Sequence, residues 1–255
     1  MTGKIYVVGL GPGNNEDITH RADEAVRNSS VIVGYSKYID LIAEKTTGKR
    51  VVATGMMKEI ERCDEAVRLA AAGEIVAVVS SGDAGVYGMA GLVLERLERF
   101  FRAEGAQKIE VEIVPGITAA LSGAAKLGAP LSHDFCTISL SDLLTPQDVI
   151  DKRAEAAGMG DYVCVVYNPM STSRKDKLRR LCDILLKYKS PDTVCGYIKS
   201  IGRDGESKRI LPLRELRDAE VDMFTTVFIG NSSTRVIEGR IVTSRGYENK
   251  ECSQV

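Results

Sequence analysis

The sequence contains no tryptophan and only 5 % aromatic residues, and even its longest purely apolar runs, such as residues 75–79, are short. A membrane-spanning helix needs about 18 or more consecutive apolar residues, so we expect no transmembrane segment. Residues 1–4 lead straight into a strand-like run, and we expect no signal peptide. Hydrophobic (44 %) and charged (27 %) residues occur in ordinary proportions, which excludes a disordered or fibrous chain.

An excess of charge of one sign is also missing. The 255 residues include 34 Lys and Arg against 35 Asp and Glu, which gives a net charge of −1. A chain so close to neutrality has no overall attraction to nucleic acid or to an acidic membrane surface, so we expect neither as a partner. An anionic partner must therefore be held by a local basic patch.

The cysteines form no CxxC pair, and most lie inside apolar stretches, where a reduced thiol behaves as a small hydrophobic group. The only two histidines, His20 and His133, are far apart in the sequence. We therefore predict a reducing, cytoplasmic setting with no disulfide framework and no protein-bound metal. The six cysteines are Cys63, Cys136, Cys164, Cys182, Cys195 and Cys252.

Short β-branched runs alternate with helical patterns in the first half of the chain. Several of these runs are apolar throughout, as expected of parallel strands covered on both faces. Between them, Cys63, Val67 and Ala70 recur at helical spacing and Gly73 follows as a C-cap, while residues 88–102 predict a second helix. The predicted strands cover residues 4–10, 31–34, 50–53, 75–80 and 109–114.

The dipeptide Pro115-Gly116 interrupts this alternation, and strands become denser after it. We predict an α/β fold with two α/β domains: residues 1–114 with a mainly parallel sheet, and residues 115–243 with a mixed sheet. Residues 244–255 form a polar tail. In the second half the predicted helices cover residues 117–127 and 174–189, and the predicted strands cover 135–140, 162–167, 193–199, 208–211 and 225–230.

The first motif is Val8-Gly9-Leu10-Gly11-Pro12-Gly13, directly after the first strand. Glycines at a strand end allow a sharp turn and a close approach to a ligand. The spacing lacks the third glycine of a dinucleotide fingerprint, and Pro12 removes an N–H that a pyrophosphate would use. A plain tight turn and a ligand loop therefore both remain open, and a nicotinamide site is disfavoured.

The second motif is Ser81-Gly82-Asp83, with Tyr87 close behind it, at the carboxyl end of the most apolar strand of the first half. Ligands bind beyond the carboxyl ends of strands in open α/β sheets, and a carboxylate there can hold a ribose hydroxyl or an amino group. Asp83 has an alternative role, because an aspartate can also cap a helix that starts near Tyr87.

The third motif is Pro115-Gly116-Ile117-Thr118-Ala119-Ala120, a turn that feeds a helix with small first residues. The N–H groups at such a helix start point outward with the positive end of the dipole. Thr118 is either an N-cap or a ligand contact, and the sequence does not separate the two.

Taken together, the three motifs resemble those of the tetrapyrrole methylases, and the resemblance covers about residues 4–240. It implies the two-domain α/β fold of class III methyltransferases, with S-adenosylmethionine bound in the cleft between the domains and S-adenosylhomocysteine as product. Ser81 stands where many members of the family have glycine, which could alter how closely the backbone approaches the cofactor.

Further stretches narrow the resemblance to the members that methylate C-17 of precorrin-3B or cobalt-factor III in cobalamin biosynthesis, with ring contraction. The implied substrate is a tetrapyrrole, with or without cobalt, and the implied assembly is a homodimer. The stretches are Gly34-Tyr35-Ser36-Lys37-Tyr38, Thr54-Gly55-Met56-Met57-Lys58-Glu59, Leu131-Ser132-His133-Asp134-Phe135, Val166-Tyr167-Asn168-Pro169 and Thr226-Val227-Phe228-Ile229-Gly230-Asn231.

The resemblance also assigns residues in both halves of the chain to the cofactor. In the first half and at the third motif they are Pro12, Ser81, Gly82, Asp83, Val86, Tyr87, Thr118 and Ala119. In the second half they are Asn168, Gly202 and Thr226.

Ring contraction requires proton transfer, for which His133, Asp134 and Lys199 are the candidates. A surface turn is the alternative role for His133-Asp134, and axial contact of His133 with a cobalt centre is a further one. The carboxylates of a tetrapyrrole need basic partners, and the candidates are Lys37, Lys58, Arg174 and Arg203. Arg174 belongs to a run of cations, at Lys175, Lys177, Arg179 and Arg180, whose other reading is a solvated helix face.

Other functions remain open at this point. Within the same fold, the chain could methylate another position of the macrocycle or a protein side chain. A nicotinamide-dependent oxidoreductase that uses the glycine loop, and a cofactor-binding scaffold without catalysis, are alternatives from other classes.

Overall fold

A computed structural model describes residues 3–104, 109–170 and 176–247 of the chain. The chain divides into two compact units, Met1–Ala119 and Ala120–Val255. The boundary predicted from the sequence, at Pro115, lies slightly earlier in the chain.

The first unit is built around one five-stranded sheet in which every strand pairs in parallel, in the order β3-β2-β4-β1-β5. Its strands are β1 (Lys4–Gly9), β2 (Val31–Tyr35), β3 (Arg50–Thr54), β4 (Ile75–Ser80) and β5 (Glu110–Val114). Its helices are α1 (His20–Asn28), α2 (Ser36–Asp40), α3 (Glu59–Ala71) and α4 (Ala90–Glu104), with a short 3-10 helix at Ala43–Thr46.

The central strands of this sheet are buried on both faces, which is why their sequences are apolar throughout. One face packs against α3 and α4, with Cys63, Val67 and Val78 in the cluster. The opposite face packs against α1 and α2, with Val26 and Ile39. The predicted parallel α/β arrangement is confirmed, and β4 covers the residues that the sequence predicts.

The second unit contains a mixed five-stranded sheet in the order β10-β9-β11-β8-β7, and a three-stranded sheet in the order β12-β13-β6. The strands are β6 (Gly128–Ala129), β7 (Phe135–Ser139), β8 (Val163–Tyr167), β9 (Val194–Lys199), β10 (Ser207–Pro212), β11 (Thr225–Ile229), β12 (Thr234–Ile237) and β13 (Arg240–Thr243). The helices are α5 (Ala119–Leu127), α6 (Gln147–Met159), α7 (Lys177–Leu185) and α8 (Leu213–Leu216).

The strand directions decide which residues of the second unit share an edge. Strands β7 and β8 are parallel, and β11 is antiparallel to both β8 and β9. Strands β7, β8 and β9 therefore end at one edge of the sheet, at Ser139, Tyr167 and Lys199, and β11 begins there at Thr225. We call this the Tyr167 edge. Residues that precede β7 and β8 lie at the opposite edge.

Three elements lack a strong signal in the sequence. The short, polar helix α1 buries only Ala22, Ala25 and Val26, and the buried face of α6 is mostly alanine and glycine. Such weak apolar stripes leave helical periodicity hard to detect. The strands of the three-stranded sheet are at most four residues long, and β12 is largely exposed. Helix α7 is also shorter than predicted, and residues 174 and 175 of the predicted helix lie outside the described residues.

The cysteines that the structure describes are all unpaired thiols, and four of these five are buried. Cys252 lies outside the described residues. In the same part of the chain, no helix has the length and apolar character needed to span a bilayer. No group of three or more His, Cys, Asp or Glu side chains there is arranged to hold a metal ion.

The packing around two glycines, one in a helix of each unit, predicts opposite effects of their substitution. A Cβ on Gly123 of α5 would lie 2.8 Å from Phe228 Cζ on β11, whereas a Cβ on Gly91 of α4 meets no atom within 4 Å. Gly123→Ala should therefore lower the free energy of unfolding by about 1–2 kcal/mol despite the better helix propensity of alanine. Gly91→Ala should raise it by about 0.5–1 kcal/mol. Urea denaturation measures both, and a stabilising Gly123→Ala would contradict the close packing.

Candidate functional site

Three glycine-bearing loops of the first unit meet at the carboxyl ends of β1, β4 and β5. The N–H of Leu10 donates to the carbonyl of Ser80 at 2.8 Å. One residue further along, Gly11 and Gly82 pair in both directions, with N···O distances of 3.0 and 2.7 Å. The loop after β1 is therefore hydrogen-bonded to the loop after β4.

The third loop, after β5, reaches the same junction because its residue 116 is glycine. A Cβ on Gly9 would lie 2.7 Å from the carbonyl oxygen of Gly82 and 2.8 Å from the nitrogen of Gly116. A Cβ on Gly116 would lie 2.5 Å from the oxygen of Gly9 and would also overlap the oxygen of Gly82. Only residues without a Cβ let three backbones approach this closely. Gly82 also has a φ of +72°, which glycine adopts without steric cost.

The carboxylate of Asp83 ties two of these loops together. Its Oδ1 accepts from the N–H groups of Gly85 (2.7 Å) and Val86 (3.1 Å), and its Oδ2 accepts from the N–H of Gly116 (2.9 Å). Helix α4 begins only at Ala90, so Asp83 does not cap a helix that starts near Tyr87. Both oxygens instead hold backbone groups, and the main structural role of Asp83 is to fix the loops.

The remaining cofactor candidates of the first unit surround this junction. Pro12 is buried, and Tyr87 is 54 % exposed with a φ of +53°. Thr118 and Ala119 lie at the start of α5, within 4.0 Å of the position of a Cβ on Gly82. Ser81, Gly82, Val86, Thr118 and Ala119 are all half-buried.

The loop after β1 does not lead directly into a helix, as a dinucleotide-binding loop does. Helix α1 begins only at His20, and the chain before it turns back with the N–H of Asp17 donating to Asn14 Oδ1 at 2.8 Å. Within the described residues 9–19, no helix begins directly after the glycines. The loop therefore lacks the N–H groups of a helix N-terminus, which hold the pyrophosphate in a dinucleotide site. The geometry disfavours the nicotinamide alternative.

Several candidates of the second unit gather at the Tyr167 edge. The Tyr167 hydroxyl accepts from the N–H of Ala120 at 2.9 Å. The next residue, Asn168, has a φ of +52°, and its amide donates to Ser139 Oγ at 3.0 Å. Thr226, at the start of β11, is only 6 % exposed. The candidates Asn168 and Thr226 therefore share one edge of the sheet.

Lys199 lies at the same edge and forms an ion pair with Asp222 at 2.7 Å. Burial by itself raises the pKa of Asp222, but hydrogen bonds from Lys199, Thr225 and the N–H of Phe224 outweigh it and lower that pKa. In the turn after β9, the N–H of Gly202 donates to Glu206 Oε2 at 2.7 Å, and Arg203 belongs to the same turn. Lys199 is therefore held next to a carboxylate that stays ionised.

His133 and Asp134 lie at the opposite edge, before β7. The N–H of Asp134 donates to His133 Nδ1 at 2.7 Å. The side chain of His133 is 45 % exposed and that of Asp134 is 83 % exposed. Both line an open cavity of about 640 Å³ together with Arg235 and Arg245. The length of the sheet separates them from Lys199, so the structure does not bring the three proton-transfer candidates together.

The basic candidates have different surroundings. Lys37 is exposed on α2, and the exposed Lys58 pairs with Glu61 at 2.8 Å. Arg174 lies outside the described residues, as does Lys175. The other cations of that run form ion pairs within the second unit: Lys177 with Asp142, Arg179 with Asp218, and Arg180 with Asp151.

Two buried polar residues of the first unit were not predicted from the sequence. The hydroxyl of Ser80, at the end of β4, is buried and has no hydrogen-bond partner within the described residues. Arg62 on α3 is only 4 % exposed. Arg62 lies one turn before Ala66 on the apolar face of the helix, and this spacing in the sequence is the signal that predicts its burial.

Comparisons with known proteins identify the family. The sequence profile of the tetrapyrrole (corrin/porphyrin) methylases matches residues 4–217. The chain is 48 % identical over 245 residues to the probable cobalt-factor III C(17)-methyltransferase of Salmonella typhimurium, covering 95 % of this chain and 99 % of that protein. The solved structure of the methyltransferase CobJ matches with a TM-score of 0.88 at 37 % identity, covering 95 % of this chain and all of that one.

A longer relative is the cobalt-factor III methyltransferase of Priestia megaterium, which is 49 % identical over 251 residues. The match covers 98 % of this chain but 46 % of the Priestia protein, so the chain spans about half the length of that relative.

The chain belongs to the tetrapyrrole methylase family. It is an S-adenosylmethionine-dependent methyltransferase with the mixed α/β fold of that family, as the resemblance of the three motifs implies. This excludes the oxidoreductase and the non-catalytic scaffold.

The three-loop junction fits S-adenosylmethionine in its chemistry. The loops present backbone N–H and C=O groups with little side-chain bulk, as the missing Cβ atoms of Gly9 and Gly116 show. The orphaned hydroxyl of Ser80 at their base offers a buried polar group that a ligand could satisfy. Backbone groups and open space of this kind are suited to a polar cofactor.

Asp83→Asn should weaken S-adenosylhomocysteine binding by about tenfold or more, because an amide cannot accept from both loops as the carboxylate does. Isothermal titration calorimetry measures the affinity. The matched control is Asp148→Asn on α6, whose carboxylate is 70 % exposed and far from the loops in sequence. Equal affinities for the two variants would show that the link between the loops does not shape the cofactor site.

Proposed function

We propose that the chain transfers a methyl group from S-adenosylmethionine to C-17 of a cobalamin-pathway tetrapyrrole, cobalt-factor III or precorrin-3B. The observation that carries this proposal is the 48 % identity to the Salmonella relative over nearly the full length of both chains. The junction of three loops in the first unit supports it, because it offers backbone groups for the cofactor.

The cofactor supplies a methyl group that its sulfonium already activates. The residues of this chain therefore need to orient the partners rather than to generate a strong nucleophile, with the methyl held about 3–3.5 Å from the attacking carbon. The backbone of Gly11 and Gly82 fixes one wall of the site, and Asp83 keeps the loop that carries Val86 in place. The other assigned cofactor contacts are Pro12, Ser81, Tyr87, Thr118, Ala119, Asn168, Gly202 and Thr226.

Ring contraction also needs a group that moves a proton. Of the three candidates, we propose Lys199, because it lies at the Tyr167 edge with Asn168 and Thr226. Its ammonium is held 2.7 Å from Asp222, whose lowered pKa keeps a negative partner beside it near neutral pH. We propose Lys37, Lys58 and Arg203 as partners for the substrate carboxylates.

An anaerobic incubation with methyl-labelled S-adenosylmethionine tests the proposed reaction. Cobalt-factor III and precorrin-3B are supplied separately, and mass spectrometry and NMR determine whether one labelled methyl has been added and at which carbon. We expect methylation at C-17 with release of S-adenosylhomocysteine, and the preferred macrocycle shows whether the substrate carries cobalt. Methylation at another carbon would identify a methyltransferase for a different position, and no transfer to either macrocycle would overturn the proposal.

We also propose that the chain is a homodimer in a reducing, cytoplasmic setting. The five cysteines among the described residues are unpaired thiols, which supports a reducing setting. Leu143 and Leu144, between β7 and α6, are 68 % and 98 % exposed, and neighbouring exposed leucines favour a protein contact.

Sedimentation equilibrium should therefore give about twice the chain mass of 27.7 kDa. Leu144→Ser should shift the distribution toward the monomer, because it removes the most exposed leucine of this pair. A single 27.7 kDa species at every concentration would contradict the dimer.

A further inference from the structure

Arg62 places a positive charge inside the first unit without a carboxylate beside it. Arg62 is only 4 % exposed. Among the residues that the structure describes, no Asp or Glu forms an ion pair with it, whereas the nearby Arg50 and Lys58 both have acidic partners. Burying a charge is costly unless it is paired or hydrogen-bonded. An arginine in such a place needs a reason other than a salt bridge.

The guanidinium instead holds the segment that leaves β3. Its Nε donates to Thr54 Oγ1 at 2.8 Å, and its Nη2 donates to the carbonyl of Gly55 at 3.0 Å. Its Nη1 contacts Met89 Sδ at 3.8 Å, a weak hydrogen bond. The two strong bonds fix the first two residues of the segment 54–58 from the side of α3. The planar fork of arginine suits this task, because its N–H groups reach both acceptors at once.

The segment held in this way presents two methionines to solvent. Met56 is 51 % exposed and Met57 is 76 % exposed. Met57 also has a φ of +63°, a left-handed conformation that is strained for a residue with a side chain. Two exposed thioethers on an internally anchored, strained turn are more than a surface loop requires.

The neighbouring strand end adds aromatic side chains. Strand β2 pairs in parallel with β3 so that Tyr35 lies opposite Thr54. The segments that follow the two strands therefore leave the sheet side by side. Tyr35 packs against Tyr38 with ring centroids 5.2 Å apart. Two lysines accompany these apolar groups in sequence: Lys37 lies between the tyrosines, and Lys58 comes after the methionines.

This combination matches the chemistry of the proposed substrate. A tetrapyrrole has a broad π face, with which thioethers make favourable contacts, and carboxylates around its rim, which attract ammonium groups. We infer that Arg62 is a positioning residue for the substrate: it holds the segment 54–58 so that Met56 and Met57 lie against the face of the macrocycle. The inference rests on the proposed function and names the part of the first unit that recognises the tetrapyrrole.

Arg62→Met tests the inference, because it keeps an unbranched side chain but removes every donor. We expect the KM for cobalt-factor III to rise about tenfold, kcat to change less than about twofold, and S-adenosylhomocysteine affinity to stay at the wild-type value. The KM of Arg62→Lys should lie between those of the wild type and Arg62→Met, since an ammonium lacks the fork that reaches both acceptors. The matched control is Arg102→Met on α4, whose side chain is 79 % exposed.

A second variant covers the case in which Arg62→Met does not fold. Thr54→Val keeps the guanidinium and removes one acceptor, so it should raise the same KM by a smaller factor. Combined with Arg62→Met, it should add no further rise, because the hydrogen bond is already lost. A KM equal to that of wild type in Thr54→Val and in every folded Arg62 variant would overturn the inference, as would equal losses of macrocycle and cofactor affinity.

Binding of the macrocycle to the wild type separates this inference from the proposed function. Absorbance titration under anaerobic conditions follows the tetrapyrrole directly. If neither cobalt-factor III nor precorrin-3B binds to the wild type, the proposed function fails, and the inference fails with it. If the wild type binds and the Arg62 and Thr54 variants bind equally well, only the role of Arg62 is wrong.

Discussion

Three backbone N–H groups from two loops converge on the carboxylate of Asp83, and the proposed cofactor site depends on that convergence. The loops can approach only because Gly9 and Gly116 have no Cβ, and the carboxylate then holds them in that close arrangement. A charged acceptor is suited to this task, because hydrogen bonds to an ionised group are stronger than those between neutral groups. An aspartate that resembles a ligand contact in the sequence is thus first a structural link.

Arg62 solves the same physical problem at the end of β3, an edge strand of the same sheet. Segments beyond the carboxyl ends of parallel strands belong to no ladder, so their backbone groups need other partners. Asp83 supplies acceptors for the loops after β4 and β5, and Arg62 supplies donors for the loop after β3. In both cases an internal charged group fixes a loop, which leaves the outward surface of that loop available to a ligand.

The sequence predicted the parallel sheet well, because strands buried on both faces are apolar throughout, as residues 75–80 illustrate. It did not reveal α6, whose buried face is mostly alanine and glycine, or the short strands of the three-stranded sheet. Among the candidate residues, it grouped His133 with Lys199, although the strand directions place them at opposite edges of one sheet. Adjacency of this kind is a property of topology, which residue types do not encode.

By itself the sequence determined the fold class, the three glycine-bearing motifs and the family, because buried strands and close backbone approaches demand particular residues at particular places. The tertiary structure decided what the polar groups do. Whether Asp83 caps a helix, binds a ligand or joins two loops depends on which N–H groups lie within about 3 Å of its oxygens. Those partners come from residues up to 33 positions away, at Gly116, and folding alone brings them together.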